Sequence, residues 1–250
     1  MTTFVLVHGG WGGGWEWTPV AGKLRERGYQ VFTPTLTGLG ERKHLLPSEV
    51  TLSDHIRDVL AVFEFEELSD VILCGHSYSG MVVTGVADRI PERIQLLAYP
   101  DSFAPKDGES LYDQEPDFTA ALLQRARDRG DNRTPIPSEL LPPLETADET
   151  ITQYIARLRP QSANTFTEPL RLSGAIEQVP RAYVLCTGYQ DSVMGRYAER
   201  ARAEGWLYRE LPTEHDLQLF DPDGTVEVLE DLAKAAGLRF PDGSGAGFGS

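Results

Sequence analysis

The first hundred residues alternate between short unbroken apolar runs and longer amphipathic stretches. Thr3 to His8 is an apolar run closed by glycines, the pattern of a buried strand. Trp15 to Arg27 is amphipathic and stops at Gly28, a position suited to ending a helix. Gln30 to Thr33 reads as a strand before Pro34. From Thr51 to Phe65, the apolar residues Leu52, Ile56, Val59, Leu60 and Phe63 recur at spacings of three and four. That spacing predicts a helix, which Thr51 or Ser53 can cap. His55 on this helix and His44 in the loop before it read as surface residues. Val71 to Cys74 is the next strand, Tyr78 to Arg89 the next helix, and Ile94 to Ala98 another strand.

The rhythm breaks after Asp101. Residues 105 to 178 hold Pro-rich acidic loops and helix-like pieces at 117–127 and 150–158, with no strand standing out. Alternation then returns: Arg181 to Cys186 as strand, 193–204 as helix, Trp206 to Leu211 as strand, 222–236 as helix. Alternating strand and helix imply an α/β fold, a mostly parallel sheet covered on both faces. The sequence thus divides into a core, residues 1–104 and 179–238, a helical cap inserted at 105–178, and a flexible tail at 239–250 with little to bury.

Charge and composition narrow the function. The net charge of −15 repels phosphate backbones and anionic membranes, so neither nucleic acid nor a membrane surface is the expected partner. No apolar run approaches the roughly 20 residues of a membrane helix. The opening MTTFVLVHGG leaves no room for a signal peptide before the first strand. The two cysteines, Cys74 and Cys186, sit late in strand-like runs, without metal-binding spacing, and read as core residues. The expectation is a soluble cytoplasmic protein acting on a small molecule. No segment declares an oligomer interface.

Candidate chemistry lies where strands end. In a parallel sheet the carboxyl ends carry the site. VILCGHSYSG places Ser77 directly after such an end, with small residues, Gly75 and Ser79, two places to either side. A tight strand-to-helix turn requires that smallness, because the two backbones nearly touch. Ser79 should pack inertly into the helix. A serine hydroxyl needs a base, and the base an orienting carboxylate. Of five histidines, His215 in LPTEHDLQLF follows the last strand, at another carboxyl end, whereas His76 lies inside the turn and points away. Two aspartates also follow strand ends, Asp191 in CTGYQDSV and Asp101 in AYPDSF. The chain order Ser77, Asp191, His215 ranks Asp191 first, with Asp101 as the alternative acid.

The glycine loop HGGWGGGW at residues 8–15 lacks both the dinucleotide spacing and a G-K-[ST] phosphate motif. After the first strand, it can instead supply an oxyanion donor. Gly10 N–H and Tyr78 N–H, the latter just after the nucleophile, are the expected pair.

Together VLVHGGWGGGWEW, TPTLTGLGER, VILCGHSYSG and EHDLQL resemble the α/β-hydrolase superfamily. The branch they resemble holds hydroxynitrile lyases, plant-type methylesterases and bacterial small-molecule esterases. The resemblance implies an α/β-hydrolase fold, a triad of Ser77, His215 and Asp191, a Gly10/Tyr78 oxyanion hole, and no metal or organic cofactor. The lyases of this branch carry a threonine after the first-strand histidine and a lysine after the catalytic one. Here those places hold Gly9 and Asp216. An aspartate opposes cyanide departure, so the resemblance implies hydrolysis of a carboxylic ester over lyase chemistry; the aromatic candidate lining residues point to a small apolar or aromatic one. Trp11, Phe103, Tyr112, Phe118 and Met194 are the expected substrate-lining residues. A receptor-like module that binds without turnover is the alternative from a different class. With an unshifted histidine, hydrolysis would fall below about pH 6.5.

Overall fold

The structure, a computed structural model, describes residues 2–45, 48–138, 141, 148–188 and 193–238. The elements in chain order are strand β1 (Thr3–Val7), α1 (Thr18–Glu26), β2 (Gln30–Phe32), α2 (Leu52–Phe65), β3 (Val71–Gly75), α3 (Ser79–Arg89) and β4 (Ile94–Pro100). Then come α4 (Leu111–Gln114), α5 (Pro116–Arg129), β5 (Arg133–Thr134), α6 (Glu149–Arg157), β6 (Gln161–Ser162) and α7 (Asn164–Thr167). The chain closes with β7 (Arg181–Cys186), α8 (Gly195–Ala203), β8 (Leu207–Leu211), α9 (Leu217–Phe220) and α10 (Pro222–Ala235).

Six strands form one parallel sheet in the order β2-β1-β3-β4-β7-β8. The inner strands β1, β3, β4 and β7 are mostly apolar on both faces because both are covered. Successive residues point to opposite sides. Phe4, Leu6, Ile72, Cys74, Ala98 and Val184 join α1 and α10 in one core. Val5, Val7, Leu73, Leu97, Tyr99 and Tyr183 join α2, α3 and α8 in the other. The predicted strands and helices of the sheet therefore occur, with ends shifted by up to three residues, the most at α1, which starts at Thr18 rather than Trp15.

α2 starts with a capping box. Thr51 Oγ1 accepts from Asp54 N–H, and the Asp54 carboxylate accepts from Thr51 N–H at 2.8 Å. Ser53, the other expected cap, instead bonds Glu168 through its N–H and its hydroxyl, tying α2 to the chain beyond β6. His55 corrects the surface expectation: it is fully buried, accepting from the Tyr78 hydroxyl at Nδ1 and donating from Nε2 to Thr37 O.

Between β4 and β7, which are neighbours in the sheet, the chain leaves the sheet and forms α4 to α7. This insertion also contains strand structure that the sequence did not suggest. β5 and β6 pair antiparallel over two residues each, too short for any apolar alternation to register. The residues expected as a tail, 239–250, lie outside the described residues.

Candidate active site

The strand order reverses direction at β1, which has β2 on one side and β3 on the other. At such a point the loops after neighbouring strands diverge and leave a crevice. The glycine loop after β1 and the serine turn after β3 therefore meet there.

Ser77 adopts φ +53, the left-handed region that a non-glycine residue enters only when its surroundings impose it. Two donors from the loop after β4 hold its carbonyl: Ser102 Oγ at 2.8 Å and Phe103 N–H at 3.2 Å. Close packing does the rest. A Cβ on Gly75 would stand 2.5 Å from Val83 Cγ2 and 2.7 Å from Ser79 O, so only glycine fits there. Ser79 is completely buried, and its hydroxyl lies 2.9 Å from both Val7 O and His76 O. It is spent on joining β1 to the turn.

His215 brings the chemistry together. Its Nε2 is 3.0 Å from Ser77 Oγ, and its Nδ1 is 2.6 Å from Asp101 Oδ2. A ring nitrogen facing a carboxylate carries the proton, which leaves Nε2 free to accept the serine hydroxyl. Asp101 is fully buried at the end of β4, with φ +42. Its N–H donates to Val184 O at 2.8 Å, and its Oδ1 accepts from Cys186 N–H at 3.0 Å. The hydrogen bond that chain order assigned to Asp191 is made by the second candidate, Asp101. Asp191 lies outside the described residues.

Burial pulls the His215 pKa down, but the hydrogen bond and charge of Asp101, with the charge of Asp216, outweigh it. The net shift is upward from 6.5. His76, beside the serine, goes the other way: burial first, then the His215 charge, push it down to about 3. Its Nε2 donates to His215 O at 2.9 Å, and its Nδ1 is buried with no hydrogen-bond partner among the described residues. His76 is thus a neutral support for the His215 backbone. His8 is neutral too, pushed down to about 3 by burial, and accepts Leu36 N–H at Nε2.

Among the described residues, no hydrogen bond engages the N–H of Gly10 or of Tyr78. The next N–H of the glycine loop is held: Trp11 donates to Gln161 Oε1 at 2.9 Å. Glu16 Oε1 is buried with no hydrogen-bond partner among the described residues. Glu16 is 5% exposed. Burial, then the Asp216 charge, push its pKa well above the usual range. The buried Tyr154 of α6 is close enough to Asp216 and Glu16 for their charges, after burial, to push its hydroxyl well above the usual range. Gly12 makes room for this: a Cβ there would stand 1.7 Å from Glu16 Oε1. Neither Glu16 nor Tyr154 announces itself in the sequence, except that an acid between two tryptophans is an unusual thing to bury.

The expected lining residues separate into two groups. Trp11, Phe103 and Met194 are buried in the same apolar cluster as Tyr78, with Phe118 packed against its edge. Phe103 touches the serine turn directly through its N–H. Tyr112 is 40% exposed, on a groove shared with Ser110, Asp113, Leu123 and Arg127 that includes none of Ser77, Asp101 and His215. Among the described residues, no cluster of three or more His, Cys, Asp or Glu is placed to hold a metal ion, and no helix is long and apolar enough to cross a membrane.

Known proteins share this arrangement of sheet and chain. A family model described as the alpha/beta hydrolase family matches residues 4–228. A carbendazim hydrolyzing esterase from Nocardioides sp. (strain SG-4G) is 40% identical over 246 residues, which cover 93% of this chain and 100% of that protein. Methylesterase 9 of Arabidopsis thaliana is 24% identical over 242 residues, covering 89% and 91%. Among solved structures, an extracellular alpha/beta-hydrolase from a Paenibacillus species matches with a TM-score of 0.80 at 28% identity, covering 93% of this chain and 99% of that one. With a family model along most of its length and a 40% identical relative along nearly all of it, this chain belongs to the alpha/beta hydrolase family.

Proposed function

We propose that this protein is a serine esterase that cleaves small carboxylic esters through an acyl-enzyme, with Ser77, His215 and Asp101 as its triad. The observation that carries the proposal is the unbroken chain from Ser77 Oγ to His215 Nε2, 3.0 Å, and from His215 Nδ1 to Asp101 Oδ2, 2.6 Å. Esterase relatives at 40% and 24% identity support the reaction class.

In this reading His215 takes the Ser77 proton as the oxygen attacks the ester carbonyl, and Asp101 steadies the imidazolium that forms. The carbonyl oxygen gathers negative charge and needs donors already in place. Gly10 and Tyr78 N–H groups are the candidates, both unclaimed among the described residues. The imidazolium then protonates the departing alcohol. Water, activated by the same nitrogen, releases the acid. No step calls on a cofactor. The substrate occupies the space beneath the insertion, which acts as a cap over the sheet's carboxyl edge. Phe103, Met194 and Trp11 give that region an apolar and aromatic character suited to a small apolar acyl or alcohol group.

Asp216 stands where the lyases of this superfamily place a lysine, and it adds negative charge beside His215. That charge opposes departure of an anion such as cyanide, so lyase chemistry gains nothing from this site. The test is a panel of p-nitrophenyl esters, methyl esters and a cyanohydrin with wild-type protein and Ser77→Ala. Ester turnover lost in Ser77→Ala supports the reading. Cyanohydrin cleavage without ester turnover contradicts it, as does tight binding with no turnover.

A further inference from the structure

Trp11 follows the glycine whose N–H is assigned to the oxyanion, and it is where the insertion grips the glycine loop. Its N–H donates to Gln161 Oε1 at 2.9 Å, and its carbonyl accepts from Arg159 N–H at 2.8 Å. Its indole N–H reaches the carbonyl and the hydroxyl of Thr134, each at 3.3 Å. Its ring stacks on Phe166, with centroids 5.6 Å apart. All four partners belong to the insertion. Trp11 also has φ +62, a conformation that a bulky side chain keeps only when its contacts enforce it.

Gln161 is the buried centre of this grip, 1% exposed. Its amide has a defined orientation. Thr165 Oγ1 donates to Ser162 O at 2.7 Å, so it must accept from Gln161 Nε2, 2.8 Å away. That leaves Gln161 Oε1 to receive Trp11 N–H. The same oxygen lies 3.5 Å from where a Cβ on Gly10 would stand, so it sits directly against the donor glycine. Gly10 has no side chain by which packing could hold it.

We infer that Gln161 is a positioning residue for catalysis: it fixes the Gly10–Trp11 peptide and thereby aims the Gly10 N–H, one peptide earlier, at the oxyanion. The inference rests on the ester-hydrolase reading above. With Trp11 N–H taken by Gln161, the neighbouring Gly10 N–H, which no hydrogen bond engages among the described residues, is left for substrate. The oxyanion site is therefore shared between the sheet and the insertion, and it is complete only when the insertion is seated.

Gln161→Met keeps the length of the side chain and removes the acceptor. Full loss of an oxyanion donor lowers kcat about 100- to 1000-fold, so a misaimed donor should lower it about 10- to 100-fold, with KM for p-nitrophenyl acetate within about twofold. The inhibition constant of a trifluoromethyl ketone, which forms a tetrahedral oxyanion on the serine, should rise by the factor by which kcat/KM falls. Thr165→Val frees the amide to turn and should act in the same direction by about 3- to 10-fold. It replaces Gln161→Met as the deciding variant if circular dichroism shows Gln161→Met unfolded. A folded deciding variant with kcat within about twofold of wild type overturns the inference, as does a fall in kcat with unchanged ketone affinity, which a purely structural role would give. Ser77→Ala separates the two readings. Activity that needs Ser77 but ignores Gln161 and Thr165 overturns this inference alone, whereas activity that ignores Ser77 overturns the esterase reading itself.

Discussion

His215 Nδ1 and Asp101 Oδ2 stand 2.6 Å apart across 114 positions of the chain. The carboxylate is fully buried, and its second oxygen is occupied by Cys186 N–H. An acid so fixed orients the imidazole and selects its tautomer. Asp101→Asn keeps the shape but reverses the hydrogen-bonding role at Oδ2, which favours the wrong tautomer. A loss of kcat on the order of 10³- to 10⁴-fold is expected, with KM little changed. Asp191→Asn should cost less than about tenfold. Steady-state kinetics of the two variants on one ester decides between them, and the reverse ranking would move the acid to Asp191.

The pH profile follows from the raised His215 pKa. A raised value means the imidazole stays protonated, and unable to act as base, to a higher pH than a free histidine. The acid limb of kcat/KM should therefore have its midpoint above about pH 6.5, correcting the expectation for an unshifted group. Asp216 contributes to the rise through its negative charge, so Asp216→Asn should move the limb to lower pH. A limb that moves upward in Asp216→Asn, or one unchanged by it, would contradict this assignment.

Ser79 tests the division of labour between the two serines of the turn. Its single hydroxyl proton is shared between two buried carbonyl oxygens. Ser79→Ala should lower stability by about 1 to 2 kcal/mol while leaving kcat within about threefold. Urea denaturation beside ester kinetics checks both. A collapse of kcat in a variant that remains as stable as wild type would assign Ser79 to the chemistry.

Glu16 predicts a pH-dependent stability. Its folded pKa is raised, chiefly by burial and then by the Asp216 charge. Such an acid is easier to ionise in the unfolded chain, so its stabilising contribution is present at low pH and fades as pH rises through the folded value. Glu16→Gln removes the ionisation and keeps the shape. Its Tm should exceed wild type by a few degrees near about pH 8 and by little near about pH 4.5. Calorimetry at both pH values measures this, and a gain confined to the acid side would contradict it.

Much of this site was legible because strand ends are legible. Ser77 follows an apolar strand and His215 follows the last, more polar strand, and a parallel sheet gathers such ends at one edge. Asp101 and Asp191 both satisfy that rule, since they follow β4 and β7, which are paired neighbours. Sequence does not single out Asp101 from the two; its positive φ and its bond from Cys186 N–H are tertiary facts. The burial of His55 is readable from helix spacing alone. The residue falls three residues after Leu52 and four before Val59, on the buried face of α2. Gln161 had no signal of its own, because the insertion lacks the periodic pattern that would have placed β6 beside the glycine loop. Glu16 and Tyr154, more than a hundred residues apart, meet only through that same contact between insertion and loop.

The central claim is that the Ser77 hydroxyl attacks the substrate, and covalent trapping tests it most directly. Incubation with a fluorophosphonate, followed by peptide mass spectrometry, should place a single label on Ser77, abolish ester turnover in proportion, and react far more slowly in His215→Ala. A label on another residue, or undiminished hydrolysis once Ser77 is labelled, would contradict the account.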